Sequence, residues 1–439
     1  MSDPPSAAYG RRGRADRAGG GPKPRALIPP PRTEGRAAPK AAADRGASWG
    51  AEALTASKRW LSETPLLEFT MAILLAAGYN LPGLPVEVPI RYFAMAVLVV
   101  VATTRRPRFV SPQLRLFIVA AVALIVYDLA VSASAAPMTG ASDWRQRLIR
   151  LGLLLVFTVF AGTGRLRLVA LIDGFACGLV LNAVLFYAGL APHDYQQFLS
   201  GYVGDKNAAG LLYAIGGLLL AATQTSRWAR AGTLVLFTGL TVLTGSRTTM
   251  AGLLAALVWL AVFSRRRLLT RLLGAAALWL GISYLQDNLA QIGVFADRTG
   301  TDQLRAQIAD SVARKLAETP PQGSGLGTAF VTMSTGQTFL FHDSYATLLV
   351  EGGFFALILV VSLTVWIGLR PLRAEPGPFS MQAMEASTIV VLVTATQLGE
   401  VFLTIGWALT IAVALHGGLS RHGDPVAAPA LDVHGPHLA

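Results

Sequence analysis

His342 lies in the run FHDSYATLLVEGGFF, at the polar mouth of a long apolar stretch. Histidine is the side chain that exchanges protons most readily near neutral pH, so this position is a candidate general acid or base. Guanidinium groups accompany it. Arg298 and Arg305 precede it in one long polar segment, and Arg247 sits in the turn of LTGSRTTMAG. A guanidinium presents a planar fork of donors that suits a diphosphate. Ser246 or Thr244 can cap a helix starting at this turn, and the helix would add its positive dipole end. Lys206 and Asn207, in GYVGDKNAAG, place an ammonium and an amide where a loop enters an apolar run. Cations of this kind suit an anionic substrate. Structural roles stay open for each: arginines pair within loops, and an interfacial histidine can simply pack.

Two neighbouring features carry less. Gly323, Gly325 and Gly327 of QGSGLG would let backbone N–H groups approach a phosphate, but a plain flexible turn explains the spacing more simply. Glu351 follows His342 by nine residues, about half a rotation around a helix and roughly 13 Å deeper. An intramembrane acid is a functional candidate by default, yet helix packing and hydrogen bonding are the first assignment here.

The elements that must position these residues are apolar helices. Of the 439 residues, 53% are hydrophobic and 14% charged, against about 25% charged in a soluble domain. A spanning helix needs about 20 mostly apolar residues. Candidates cover 66–80, 89–104, 114–132, 148–162, 168–190, 207–223, 231–245, 248–263, 268–286, 344–369, 386–400 and 403–419, with Gly399 and Glu400 marking a break between the last two. The expectation is an all-α polytopic membrane protein with about twelve transmembrane helices.

Sidedness follows from loop charge. With the N-terminus inside, the inner loops carry Arg105, Arg106 and Arg108; Arg165 and Arg167; Arg227 and Arg230; Arg265, Arg266, Arg267 and Arg271; Arg370 and Arg373; and Arg421. Both termini are then cytoplasmic. Cations against this bias remain on the outer side: Arg145, Arg147, Lys206, Arg247, and, in the 287–341 loop, Arg298, Arg305, Arg314 and Lys315. Binding an anionic substrate at the outer face would account for them, as would salt bridges within the loops.

The segment 287–341 is the one long loop between spans, and such loops are commonly functional. Leu304, Ile308, Val312 and Leu316 recur every fourth residue, which predicts an amphipathic helix, capped by Thr301 or Asp302 and ended by Pro320–Pro321. It would lie on the outer leaflet or over the bundle. The expected organisation is a basic disordered tail at 1–62, helices one to nine at 63–286, a periplasmic loop at 287–341, helices ten to twelve at 342–420 and a C-terminal tail at 421–439. Residues 1–60 hold 12 of the 37 Lys and Arg with few large apolar side chains, a composition that cannot offset its ordering entropy. Attraction to anionic headgroups explains that charge more simply than nucleic acid does. The tail is not expected to be a secretory leader, because no apolar core with a small-residue cleavage site follows within about 30 residues. The single cysteine, Cys177, excludes an intrachain disulfide or a cysteine-based metal site. No Walker, HExxH or GxSxG motif is present, and the first absence argues against an ATP-driven pump.

Taken in order, these motifs resemble the O-antigen ligase and polysaccharide polymerase superfamily of bacterial inner membranes. The resemblance rests on K-N-x-x-G at Lys206, Asn207 and Gly210, and on T-G-S-R-T from Thr244 to Thr248. It continues with Arg298, the glycine turn at 320–327 and the H-D-x-Y-x-x-L-x-x-E-G run from His342. It covers about 200–355 and implies a fold like the integral-membrane glycosyltransferases, with no metal and no cofactor. It implies transfer of an undecaprenyl-diphosphate-linked glycan to an acceptor hydroxyl at the periplasmic face. Arg247 and Arg298 would bind the diphosphate, and His342 would position or activate the acceptor. Lys206, Asn207, Arg305, Asp343 and Tyr345 would contact substrate. Other partners would be the bilayer and a chain-length regulator, without nucleic acid. Asp343 departs from the asparagine usual in ligases, and the Lys206–Asn207 pair leans toward exopolysaccharide polymerases. A ligase acting on lipid A-core is the alternative within the class. A transporter of polyanions is the alternative outside it, though that would ask for charges near mid-membrane and paired repeats.

Overall fold

Short polar residues at the mouths of the apolar runs set where the helices begin. Ser111 Oγ accepts from Leu114 N–H at 3.1 Å and Pro112 fills the first helical position of α3, Pro112–Ser134. Asp143 caps α4, Trp144–Gly162, through Arg145 N–H. Asp205, Ser226 and Asp343 do the same for α6, Lys206–Thr223, α7, Arg227–Leu243, and α11, Ser344–Leu363. Each takes up N–H groups that a helix start would leave unpaired.

The computed structural model describes residues 65–81, 88–135, 141–288, 299–333, 336–373 and 377–419, with backbone alone at 279, 282–288 and 299–306. The expected tails at 1–62 and 421–439 lie outside these residues, as does Arg298. The remaining helices are α1 Leu66–Leu74, α2 Ile90–Thr103, α5 Leu168–Tyr187, α8 Arg247–Val258, α9 Leu268–Asn288, α10 Thr299–Glu318, α12 Phe379–Thr394 and α13 Ile405–His416. A helix lies under each of the twelve apolar runs. Among the described residues, four of them are long and apolar enough to cross a membrane: α3, α5, α6 and α11 with its extension to Leu369. The break expected near Gly399 is real: α12 ends at Thr394 and α13 starts at Ile405.

Helices α6, α12 and α13 form the centre, with nearly every side chain of α12 and α13 buried. Around them α3, α7 and α9 expose large apolar residues such as Val119, Val126, Val235, Leu272 and Leu273, the surface a hydrocarbon solvent would wet. Close approach rests on small residues. A Cβ at Gly178 of α5 would overlap the Ile73 carbonyl of α1, and one at Gly217 would meet the Phe237 ring of α7.

The arginine-rich loops gather at one end of the bundle. Arg105 pairs with buried Glu68, whose Oε2 also accepts Arg167 N–H at 2.8 Å. Arg230 stands over Phe379 at 4.5 Å. Glu385, fully buried, holds Arg373 at 2.9 Å and Arg271 at 3.3 Å. Trp259 Nε1 donates to the same carboxylate. Two π-helical turns, Trp259–Phe263 after α8 and Thr364–Leu369 after α11, end beside this network.

The long loop at the other end is more ordered than an amphipathic helix alone. Strands β1, Phe330–Thr332, and β2, Thr338–Leu340, pair antiparallel, with Phe330 opposite Leu340. Sequence periodicity did not reveal this hairpin, because three-residue strands are too short to alternate. Ile308 is buried, and Val312 and Leu316 pack with it on Ala329, Val331, Phe341 and Val350. The apolar stripe of α10 therefore faces protein, not a leaflet. The helix runs from Thr299, ahead of the expected caps, and stops before Pro320–Pro321.

Candidate functional site

Two of the predicted motifs fold into one unit. Asp205 Oδ1 accepts from Asn207 and Ala208 N–H at 2.9 and 2.8 Å, which starts α6. Its Oδ2 accepts the Tyr195 hydroxyl at 2.7 Å. That bond, with burial and the carboxylate charge, pushes the Tyr195 phenol up to about 12, so it remains a donor at neutral pH. Tyr195 and Phe198 then flank Lys206, whose Nζ lies 5.7 and 4.4 Å from their ring centres. Such cation–π contacts contribute about 0.5–2 kcal/mol each and keep the ammonium aimed. Phe198 also sits on Gly245, where any Cβ would enter the ring and where φ is +64°. Gly210, one turn into α6, lets Thr244, Ser246 and Thr249 approach to 2.9–3.1 Å of its Cβ position. The K-N-x-x-G start and the T-G-S-R-T turn are thus packed together, with Lys206 and half-buried Arg247 at the same end.

The expected cap at this turn takes a different form. Ser246 occupies the N-cap position of α8, but its hydroxyl pairs with Thr249 Oγ1 at 2.9 Å and no side chain caps the helix. Thr244 closes α7, donating to Thr241 O at 2.7 Å. The first turn of α8, headed by Arg247, keeps its positive dipole end unopposed by a capping oxygen.

His342 is exposed and stands two residues after the end of β2, at the head of α11. The neighbours predicted to touch substrate hold it in place. Asp343 Oδ1 accepts Tyr345 and Ala346 N–H at 2.8 and 3.2 Å. Burial raises the Asp343 carboxyl above its ordinary value, against those two N–H bonds. Tyr345 donates to Leu392 O at 2.9 Å and packs on Phe402 at 5.3 Å. Ser344 N–H donates to Ala395 O at 2.8 Å, and its hydroxyl links Leu398 O and Val401 N–H. Gly399 lies so close to the Phe341 carbonyl that a Cβ would overlap it. The same α12 end meets α8, since Thr394 lies 3.2 Å from the Cβ position of Gly252. Gly252 is five residues, about 7.5 Å of helix, beyond Arg247. Lys206, Arg247 and His342 therefore share the end of the bundle opposite the arginine-rich loops. Asn207 and Arg305 are less informative: the Asn207 side chain forms no hydrogen bond among the described residues, and Arg305 is described in backbone only.

Glu351 is a packing residue, as expected from its place on the helix. Its carboxylate is buried and accepts from Arg147 Nη2 at 3.1 Å and from Gly327 N–H at 3.0 Å. Arg147 also reaches Glu400 at 3.0 Å, so this cation against the charge bias belongs to a salt bridge. The glycine turn is equally committed. Ser324 N–H goes to Val350 O, Gly325 N–H to Glu351 O and Leu326 N–H to Ser132 Oγ, at 2.7–3.0 Å. With Gly323 and Gly327 bonded as well, the 323–327 backbone has no N–H left for a phosphate, and the turn is held in place rather than flexible. The turn docks on a break in α11, where Gly353 has φ +63°.

Three further arginines stand together here. Arg91 and Arg150 lie inside the apolar runs 89–104 and 148–162, and Arg147, expected in a loop, lies in the first turn of α4. They cluster at one tyrosine: Arg150 stands over Tyr92 at 5.4 Å, and Arg91, Arg147 and Glu400 lie within its electrostatic reach. The signal was available, because an ionisable residue inside an apolar run needs a partner or a role.

The comparison with known families falls on this region. Residues 232–361 match the O-antigen ligase family. This match, over less than a third of the chain, supports the O-antigen ligase and polysaccharide polymerase superfamily. The ligase-family segment runs from within α7 through the hairpin and into α11. It takes in Arg247, Arg298, Arg305, His342, Asp343 and Tyr345, whereas Lys206 and Asn207 precede it. It supports a polysaccharide ligase- or polymerase-like role for a helical membrane protein. No curated protein matches the chain.

Proposed function

We propose that this protein is a membrane glycosyltransferase that moves a glycan from undecaprenyl diphosphate to an acceptor hydroxyl at the outward face of the inner membrane, polymerising polysaccharide repeat units. The observation that carries the reading is the packing of the K-N-x-x-G start against the T-G-S-R-T turn, which puts Lys206 and Arg247 at the bundle end that also bears His342. The acceptor oxygen attacks the anomeric carbon, the bond from that carbon to the diphosphate oxygen breaks, and the lipid diphosphate leaves. Lys206, Arg247 and the first turn of α8 stabilise the charge that develops there. Arg298 would add a further cation from the loop. His342 orients the acceptor hydroxyl and takes its proton. Twelve spans with both termini cytoplasmic give this arrangement a periplasmic site, consistent with the arginine-rich loops gathering at the other end.

Arg247→Ala and His342→Ala should each lower polymer formation by about 100-fold or more, the usual scale for removing one charge-stabilising group. Both should insert and accumulate normally. Polymer made at the wild-type rate by both variants would defeat the assignment. The matched family description favours a second reading, an O-antigen ligase. Loss of the gene leaves single repeat units on the carrier if the protein polymerises, and carrier-bound polymer if it ligates.

A further inference from the structure

We propose that the groove between α10 and the β1–β2 hairpin is a second glycan subsite, and that it takes an oligosaccharide carrying a carboxylate. The inference rests on the glycosyl-transfer reading and gives a place to sugar units beyond the reacting one. The groove is open to solvent and has a volume of about 590 Å3. Ser311, Arg314 and Glu318 line it from one face of α10, three and four residues apart, and Thr332 lines it from β1.

Its floor is rigid. Lys315 Nζ donates to Thr328 O and Phe330 O, both at 2.6 Å, which ties the helix to the start of the hairpin. The ammonium also covers the Phe330 ring at 4.3 Å. Burial pulls the Lys315 ammonium below its ordinary value, with the Glu351 charge opposing. The walls, by contrast, are undercommitted. Arg314 is exposed and donates to Ser311 Oγ at 3.2 Å, a neutral acceptor on its own helix. Glu318 has no hydrogen bond or ion pair among the described residues, although it stands one turn from Arg314.

This set matches the chemistry of a sugar. A guanidinium grips a carboxylate through two parallel N–H bonds. A carboxylate accepts from hydroxyls, and the Ser and Thr hydroxyls can donate or accept. Arg314 and Lys315 outnumber Glu318 in the lining, so the groove carries an excess positive charge and favours an acidic sugar. Its position fits the transfer site. Lys315 Nζ lies 5.9 Å from the Phe341 ring, and His342 is the next residue along the chain. A glycan reacting at His342 can extend over this floor.

The probe is a tetrasaccharide with one glucuronate, compared with its all-glucose counterpart, titrated by calorimetry and saturation-transfer NMR against the full chain in nanodiscs. The acidic tetrasaccharide should bind roughly tenfold more tightly, as one charge-assisted bidentate pair allows. Arg314→Gln should abolish that preference, and Glu318→Gln should weaken both sugars. Both substitutions are at exposed positions, so an unchanged thermal midpoint checks the fold. Equal affinities, no binding of either sugar, or an Arg314→Gln protein that keeps the preference overturns the subsite. His342→Ala separates the two readings. Polymer lost with tetrasaccharide binding kept supports both, whereas polymer retained beside an Arg314-dependent preference sinks the transfer reading alone.

Discussion

Glu351 shows what one residue type can conceal. Both its carboxylate oxygens are engaged inside the protein, one with Gly327 N–H and one with Arg147. Removing one member of a buried pair leaves the other charge uncompensated, which generally costs about 3–5 kcal/mol. Glu351→Ala should therefore lower the thermal midpoint in detergent clearly, while Arg314→Ala on the exposed face of α10 should leave it unchanged. Lys206 makes the opposite case. Its ammonium is held by two aromatic faces, so Lys206→Met should keep the fold and reduce polymer formation by about tenfold or more, within the range of a lost charge-assisted contact. Lys206→Arg should recover part of the rate, since the cation is kept. A rate assay with a lipid-linked donor, read beside the melting curve, tells the two kinds of residue apart.

At the scale of elements, function depends on where helices stop. The 395–404 segment between α12 and α13 is riveted to the head of α11 through Ser344, and Gly399 lets it touch Phe341. A methyl group at Gly399 has no room, so Phe341 and the adjoining His342 must move. Gly399→Ala should insert normally yet lose about tenfold or more in activity, because small misplacements of an acceptor-orienting group are costly. Normal activity in that variant would show that this contact does not set the position of His342. Gly353 is a parallel case inside α11. Its left-handed backbone and the nearby Pro321 carbonyl exclude a side chain. Gly353→Ala should disturb the docked glycine turn, detected as faster protease cleavage near Gln322 with little change in helical content.

For the molecule as a whole, the arginine-rich end and the His342 end give a topology that labelling can check. Cys177 is the one native cysteine and its side chain is exposed on α5. In a Cys177→Ser background, a cysteine at Gln337 should react with a membrane-impermeant maleimide in intact spheroplasts, and one at Arg266 only after lysis. The reverse pattern would place the candidate site in the cytoplasm. The sequence by itself determined the helices, because hydrophobic runs and capping Ser and Asp residues act over a few neighbouring positions. It also put Lys206, Arg247 and His342 forward, since cations against the charge bias are visible without coordinates. Only tertiary structure decided which of these loop residues are architecture. The partners of Arg147, Glu351 and the 323–327 backbone lie up to 253 residues away, from Arg147 to Glu400, and no local pattern encodes such distances. The hairpin beside α10 escaped for the related reason that its strands are too short to carry a period. Local chemistry wrote the elements, whereas the distribution of donors and acceptors among distant loops was fixed only when the bundle closed.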